Sequence, residues 1–208
     1  MAGRGPYAKG LARRAEILSA ALDVVAENGY SRSYVNDIAE RVGLTHTGLM
    51  HYFASREELY EEVIRARDVS DRTAYTTGAR GVEGYFAVIE HNRHVPGLVQ
   101  LYAEFSADAA HPGHPSHAFF VERYAYLREA LARDVELAQA DGAMGATADP
   151  TEVAELLIAT ADGLQVQWLH DHRIDMAGRL RALWRALCLA SHVRDAARED
   201  ARKGAGDD

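Results

Sequence analysis

Apolar residues recur at steps of three and four along most of the chain, which is the periodicity of amphipathic α-helices. The first such stretch covers residues 12–27, and Asn28-Gly29 ends it. Similar spacing covers residues 84–95, 118–140, 151–170 and 176–193, and Pro96 opens another stretch. The pattern predicts an all-α protein.

Residues 34–60 predict two short helices that meet at a tight corner. The first helix has one apolar stripe, formed by Val35, Ile38, Ala39 and Val42. Ser33 stands where an N-cap hydroxyl is needed, and Gly43 follows the last apolar position, where a left-handed residue costs least without a Cβ. Thr45 can cap the second helix, which buries Leu49 and Phe53. This spacing is typical of a helix-turn-helix; the alternative is an ordinary helical hairpin.

The second helix leaves His46, Thr47, Gly48 and His51 facing outward, on or near its first turn. In helix-turn-helix proteins this end of the second helix enters the major groove of DNA and contacts base edges. The stretch is therefore interpreted as a DNA-binding element.

Residues 13–60 resemble the N-terminal domain of the TetR family of one-component transcriptional regulators. The resemblance is carried by AENG at the end of the first helix and by DIAERVGLTHTGLMHYFASREEL after it. They follow the family pattern "A..G", then "..IA..AG.....LY.HF..K..L". Two positions depart from it: Met50 replaces an aromatic residue that touches the DNA backbone, and Arg56 replaces a lysine.

The resemblance implies a homodimer that binds a pseudo-palindromic double-stranded DNA operator. His46, Thr47 and His51 are the expected base readers, and Gly48 allows close approach. The expected phosphate or positioning contacts are Ser33, Asn36, Thr45, Tyr52 and Arg56. The expected function is that of a ligand-responsive regulator, with repression as the family's usual mode and an unknown small molecule as effector.

Charge and composition fit this interpretation. The net charge is −8, but residues 1–56 hold seven Lys/Arg against five acidic residues, a balance of +2, so the other residues carry −10. A mildly basic head on an acidic body fits a DNA-binding protein with a second activity. No signal peptide or membrane span is evident, and the single cysteine, Cys188, excludes an intramolecular disulfide framework. These features predict a bacterial, cytoplasmic protein.

The expected organisation is a three-helix DNA-binding domain at residues 1–54, a larger helical domain at 55–196 and a disordered tail at 197–208. Residues 1–9 are interpreted as a flexible basic arm. Ser55 and Glu58 form a capping-box pattern at the start of the second domain. The helical pattern breaks around residues 70–81.

The resemblance implies that the second domain binds a ligand and dimerises through its last two helices. The candidate ligand-binding residues are Tyr102, Phe105, Phe119, Tyr124, Gln165 and Trp168. The candidate dimer residues are Leu156, Thr160, Gly163, Leu180, Leu183, Trp184 and Leu187. Both of these helices are apolar on more than one face, which favours one face in the core and another against a partner.

Two alternatives stay open. His111, His114 and His117, with His91 and His94 upstream, could bind a metal ion, or they could be polar residues of a Pro/Gly loop. A helical DNA-binding protein gated by a metal ion at this loop, or by a protein partner, is an alternative to the ligand-responsive regulator. A helical enzyme could use His91, His94 and Asp108, but the sequence has no phosphate loop or nucleophile elbow. We expect no enzyme activity, no cofactor and no resident metal.

Overall fold

A computed structural model of the chain describes residues 6–28, 34–76 and 81–204. These residues form α-helices, one π-helical turn at Arg72–Thr76 and no strand, which confirms the all-α prediction. The N-terminal helices are α1 (Pro6–Asn28), α2 (Tyr34–Arg41), α3 (His46–Met50) and α4 (Arg56–Asp71). The remaining helices are α5 (Glu83–Asn92), α6 (Pro96–Asp108), α7 (His117–Ala140), α8 (Pro150–His170) and α9 (Met176–Gly204). None of these helices is long and apolar enough to cross a membrane.

Two predicted boundaries need correction, and a third lies outside the described residues. Helix α1 begins at Pro6, so the last residues of the predicted flexible arm are helical; proline suits the first helical position because its missing N–H has no partner there. Helix α3 ends at Met50, and Phe53 is buried in the turn that follows. Ser33, the predicted cap of α2, lies outside the described residues.

The predicted disordered tail is also wrong where the structure describes it. Helix α9 continues to Gly204 and includes residues 197–204. The segment AREDARKG lacks an apolar stripe, but alanine, arginine, glutamate and lysine have high helix propensity. A helix that is already nucleated and packed upstream can extend through such residues without burying them.

The chain forms two compact units, and the first contains residues up to 74 together with residues 91–121. Within it, α1 packs against α2, α4 and α6, and α2 packs against α3. Its centre is formed by fully buried side chains, among them Ile17, Ile38, Leu49 and Leu59. The helix-turn-helix is therefore held by a core that it shares with α1 and α4.

The second unit contains residues 75–90 and residues from 122 onward. Helix α8 packs against α9, and Leu131, Ala154 and Ile158 form a buried cluster with Tyr85 and Tyr124 packed on it. The limits predicted above, 1–54 and 55–196, describe functional domains rather than this grouping by contacts, and they stay a prediction.

The loop between α7 and α8 is fastened to α9 by hydrogen bonds. The Gly145 N–H donates to Ser191 Oγ at 2.8 Å, and the N–H groups of Ala146 and Thr147 donate to the Asp195 carboxylate at 2.7 and 3.1 Å. Hydrogen bonding with Thr147 and then with Ala146 lowers the pKa of Asp195. These hydrogen bonds fix the position of α9 relative to the loop that connects α7 and α8.

A Gly145→Ala substitution should destabilise the protein by about 1–3 kcal/mol, because the added Cβ would overlap neighbouring atoms and force the backbone to move. A Cβ at this position would lie 2.7 Å from the backbone carbonyl of Ser191. Urea unfolding followed by circular dichroism measures the effect. Gly10→Ala is the matched control, since a Cβ there meets nothing within 4 Å and alanine favours the helix. Equal stabilities for the two variants would contradict the prediction.

Candidate nucleic-acid interface

The corner between α2 and α3 is set by one left-handed glycine. Gly43 has φ 67°, as its position after the apolar stripe predicts. Its N–H donates to the Glu40 carbonyl at 3.0 Å, and the Leu44 N–H donates to the Ala39 carbonyl at 2.8 Å. These two bonds satisfy the last carbonyls of α2 and fix the direction in which the chain enters α3.

Helix α3 is short and is held in place by its N-cap and by one buried side chain. Thr45 is its N-cap, and its hydroxyl accepts from the Gly48 N–H at 3.1 Å. Leu49 is fully buried, while His46, Thr47 and His51 are exposed. The first turn of α3 therefore presents its side chains to solvent on a backbone that is held at both the cap and the core.

Gly48 has two roles in this turn. A Cβ added there would lie 3.3 Å from Thr45 Oγ1, so a larger residue would crowd the cap. The absence of a side chain also leaves the surface beside His46 and Thr47 open to a ligand. The glycine is half-buried, and its backbone contributes to the cap.

The predicted capping box forms at the start of α4, but one of its two hydrogen bonds has a different backbone donor from the one predicted. Ser55 Oγ accepts from the Glu58 N–H at 3.1 Å, as predicted. The Glu58 carboxylate accepts from the N–H of Ala54, one residue before the cap, at 2.5 Å. That bond, followed by the ion pair with Arg14, lowers the pKa of Glu58.

Arg14 of α1 joins the end of α3 to the start of α4. Its guanidinium donates to the Tyr52 carbonyl at 3.0 Å and to Glu58 at 2.7 Å, and it lies 4.7 Å from the centroid of the Phe53 ring. The segment that carries Tyr52 and Arg56 is therefore held by α1. Periodicity alone gave no sign of this role for Arg14.

The predicted contact residues occupy one region of the first unit. Those exposed to solvent are Asn36, Thr45, His46, Thr47, His51 and Arg56, and those half-buried are Gly48 and Tyr52. Ser33 lies outside the described residues. Arg56 lies 3.5 Å from the Glu57 carboxylate, with its guanidinium over the Tyr60 ring, so its charge is held at the N-terminal end of α4. A cation held in this way can bind a phosphate beside α3, and the predicted DNA contacts of these residues stay a prediction.

The candidate ligand-binding residues fall into two groups. Tyr102, Phe105 and Phe119 are buried in the first unit, where their rings lie 6.2, 5.4 and 5.0 Å from the Phe120 ring. They form a packed aromatic cluster, with ring geometries common in protein cores. Their role in ligand binding stays a prediction.

The other three candidates lie in the second unit. The Tyr124 hydroxyl donates to Asp162 at 2.9 Å, and the buried Gln165 amide donates to the Ala161 carbonyl at 3.3 Å. The buried Trp168 ring lies 4.4 Å from the His172 ring. Tyr85, which the sequence did not single out, packs nearby, and burial raises the pKa of its hydroxyl.

The histidines of the predicted metal alternative make local contacts. His111 Nδ1 accepts from the Gly113 N–H and His114 Nδ1 accepts from the Ser116 N–H, both at 3.1 Å. His117 Nδ1 lies 2.9 Å from the Ala109 carbonyl. Within the described ranges, no three histidine, cysteine or acidic side chains are grouped as metal ligands would be. The first two histidines thus close turns of the loop.

The candidate dimer residues differ in exposure. Leu156 and Gly163 are exposed, and Thr160, Leu183, Trp184 and Leu187 are half-buried. Leu180 is fully buried within the chain, so its assignment to a surface is wrong. Its apolar spacing did not distinguish the inner face of α9 from the outer one.

The structure identifies exposed apolar residues that the sequence did not single out. Val166, Leu189 and Val193 are 47%, 68% and 62% exposed. Together with Leu156, which is 48% exposed, and the exposed Ala186, they are the exposed apolar residues of α8 and α9 that are called here the outer stripe. The signal in the sequence is the i, i+3, i+7 spacing of 186, 189 and 193, which becomes informative once the inner face is known.

Sequence similarity to known proteins is concentrated in the N-terminal part of the chain, which contains the helix-turn-helix. Residues 17–63 match the sequence model described as bacterial regulatory proteins, tetR family. The HTH-type transcriptional repressor KstR2 of Mycobacterium tuberculosis is 38% identical over 71 residues, which are 30% of this chain and 36% of that protein. This chain thus spans about a third of the length of that relative.

Two further comparisons extend over most of the chain. The A-factor receptor protein of Streptomyces griseus is 23% identical over 175 residues, or 81% of this chain and 60% of that protein. A crystal structure of a TetR-family transcriptional regulator from Rhodococcus sp. superposes with a TM-score of 0.66 at 22% identity, over 85% of this chain and 99% of that one. Residues 17–63 therefore match the tetR family in sequence, and the described chain shares the fold of that solved TetR-family regulator.

Proposed function

We propose that the protein is a transcriptional repressor that binds a pseudo-palindromic DNA operator in the cytoplasm and releases it when a small-molecule effector binds. The observation that carries this proposal is the first turn of α3. Its polar side chains, His46 and Thr47, are exposed beside a glycine, on a helix fixed by the Gly43 corner and the buried Leu49. Exposed donors and acceptors on a rigid helix are what base readout requires.

A homodimer follows from the requirements of DNA reading and from the outer stripe. A single five-residue α3 contacts few base pairs, whereas two copies related by a two-fold axis read half-sites about 34 Å apart. The outer stripe offers a self-complementary apolar surface for this pairing. Two small exposed residues, Gly163 of α8 and Ala186 of the outer stripe, permit close helix approach.

The effector is proposed to bind among the helices that follow α4. The name of the similar A-factor receptor protein describes a receptor, which supports a ligand-binding role for the corresponding region here. Effector binding would change the operator affinity only if the ligand bound the two conformations of the protein unequally. The candidate side chains remain those named above, with Tyr85 as a further one.

Selection of bound duplexes from a random pool tests the DNA-binding proposal. We expect an inverted repeat to be enriched by the unmodified protein. His46→Ala and Thr47→Ala should each weaken binding to that repeat by about 1–3 kcal/mol and relax selection at one position of each half-site, because a base contact is lost. His94→Ala is the matched control, since His94 is exposed and lies outside α3. Absence of enrichment at low salt, where phosphate contacts are strongest, would contradict the proposal.

A further inference from the structure

Ser116 has a buried hydroxyl without a hydrogen-bond partner. The residue directly precedes α7 and is fully buried. Its N–H donates to His114 Nδ1 at 3.1 Å, but its Oγ makes no hydrogen bond within the part of the chain that the structure describes. A buried hydroxyl is normally paired, because an unpaired one loses its hydration without compensation. The group that pairs with Ser116 Oγ is therefore expected to come from outside these residues.

The first turn of α7 offers further donors next to this hydroxyl. The N–H groups of His117 and Phe120 donate to carbonyls of the preceding loop at 3.0 and 3.3 Å. Those of Ala118 and Phe119 have no acceptor among the described residues. Helix α7 is 24 residues long and has no acidic side chain in its first turn, so its own residues do not offset the positive end of its dipole. A group that binds here should be an acceptor, and a negative charge is favoured.

Arg65 of α4 brings a positive charge close to the start of α7. Its guanidinium carbon lies 4.5 Å from the centroid of the Phe119 ring. The carboxylates of Glu61 and Glu62 lie 3.8 and 3.7 Å from the same guanidinium and partly offset its charge. The main attraction for an anion therefore comes from the hydroxyl and the N–H groups, and Arg65 adds to it.

The apolar surface next to these donors is aromatic. The Phe119 ring lies 5.0 Å from the Phe120 ring, which lies 5.4 Å from the Phe105 ring. These three side chains are buried, whereas Ala118 is exposed, so the first turn of α7 borders both the aromatic cluster and solvent. A ligand with an anionic end and an apolar body would match both parts.

We propose that Ser116 and the first turn of α7 bind the carboxylate of an effector whose remainder is apolar. One carboxylate oxygen accepts from the Ser116 hydroxyl, and the other accepts from the N–H groups of Ala118 and Phe119. The apolar remainder lies against the aromatic cluster, where its burial adds affinity. This inference rests on the proposed function and names the class of its effector, a monocarboxylate with an aliphatic or aromatic tail.

Calorimetric titration of the DNA-free protein tests this site. The probes are octanoate, decanoate and phenylacetate, each compared with its primary amide, which has the same length and no charge. We expect each carboxylate to bind more tightly than its amide, because hydrogen bonds to a charged acceptor are stronger. Ser116→Ala should weaken carboxylate binding about 10- to 100-fold, the range for a hydrogen bond to a charged group, and should change amide binding less.

Two comparisons separate ligand binding from a structural role of the hydroxyl. Ser106→Ala is the matched control, because the Ser106 hydroxyl donates to the Ala103 carbonyl at 3.1 Å within α6, and carboxylate binding should not change. Ser116→Ala should not lower the midpoint of urea unfolding, since the hydroxyl has no partner in the described chain to lose. A lowered midpoint would show that the hydroxyl caps α7, which would overturn the inference.

The remaining outcomes distinguish this inference from the proposed function. Equal carboxylate affinities for the unmodified protein and Ser116→Ala, or no binding of any probe, would overturn the inference alone while the operator is still bound. Release of the operator by the tightest probe, followed by fluorescence anisotropy and weakened in Ser116→Ala, would support both. Failure of the unmodified protein to bind any duplex would overturn the proposed function, and calorimetry would still decide whether the carboxylate site exists.

Discussion

An Arg67→Met variant is expected to lose about 3–5 kcal/mol of unfolding free energy, because it leaves a buried carboxylate without its partner. Arg67 is 9% exposed, and its guanidinium bonds Asp71 at 3.3 Å, the Leu98 carbonyl at 3.1 Å and the Asn92 side chain. The network joins the end of α4 to the end of α5 and the start of α6. Urea unfolding at neutral pH measures the loss.

The pH dependence of the same variant is a second readout. Burial raises the pKa of Asp71, and Arg67 opposes this shift in the unmodified protein. A carboxyl whose folded pKa is raised stabilises the fold below its unfolded pKa and loses that contribution as the pH rises through the folded value. The deficit of Arg67→Met should therefore shrink as the pH falls from neutral toward the raised pKa of Asp71.

A double variant separates the ion pair from the rest of the network. Arg67→Met with Asp71→Leu removes both charges, which is often nearly neutral for buried pairs, and should recover part of the loss. Recovery should be incomplete, because the hydrogen bonds that Arg67 donates to Asn92 and to the Leu98 carbonyl are still lost. A loss below about 1 kcal/mol in the single variant, the range of exposed pairs, would contradict the prediction.

Charging the outer stripe is expected to abolish dimerisation and, with it, tight operator binding. In Leu189→Glu with Val193→Glu, four carboxylates would enter a two-fold interface that otherwise buries apolar groups worth about 1.5–3 kcal/mol each. Both side chains are more than half exposed in the single chain, so its own stability should change little. Sedimentation should show a monomer, and operator affinity should fall at least a hundredfold.

Leu137→Glu is the matched control for this experiment. Leu137 is 57% exposed on α7 and is not part of the outer stripe, so the substitution adds one carboxylate per chain at another exposed apolar site. It should remain dimeric and bind the operator normally. A dimeric Leu189→Glu, Val193→Glu variant would show that the stripe is not the subunit interface.

The helix-turn-helix was predictable because its determinants are local in the sequence. A left-handed glycine at 43, a hydroxyl cap at 45 and a capping box at 55 and 58 act over three or four residues. The exposure of His46 and Thr47 follows from the spacing of the apolar residues around them. Helix ends were less predictable: α1 and α9 extend beyond their apolar stripes, where propensity rather than burial sustains the helix.

The sequence by itself determined the all-α class, the helix-turn-helix and the family resemblance, since periodicity and capping depend on residues close together in the chain. The tertiary structure decided which apolar face of α9 is core, burying Leu180 and exposing Leu189. It also decided that Arg67 is held in a buried network with Asp71 and the Leu98 carbonyl. These outcomes depend on residues far apart in the chain, and periodicity carries no information about which of them meet.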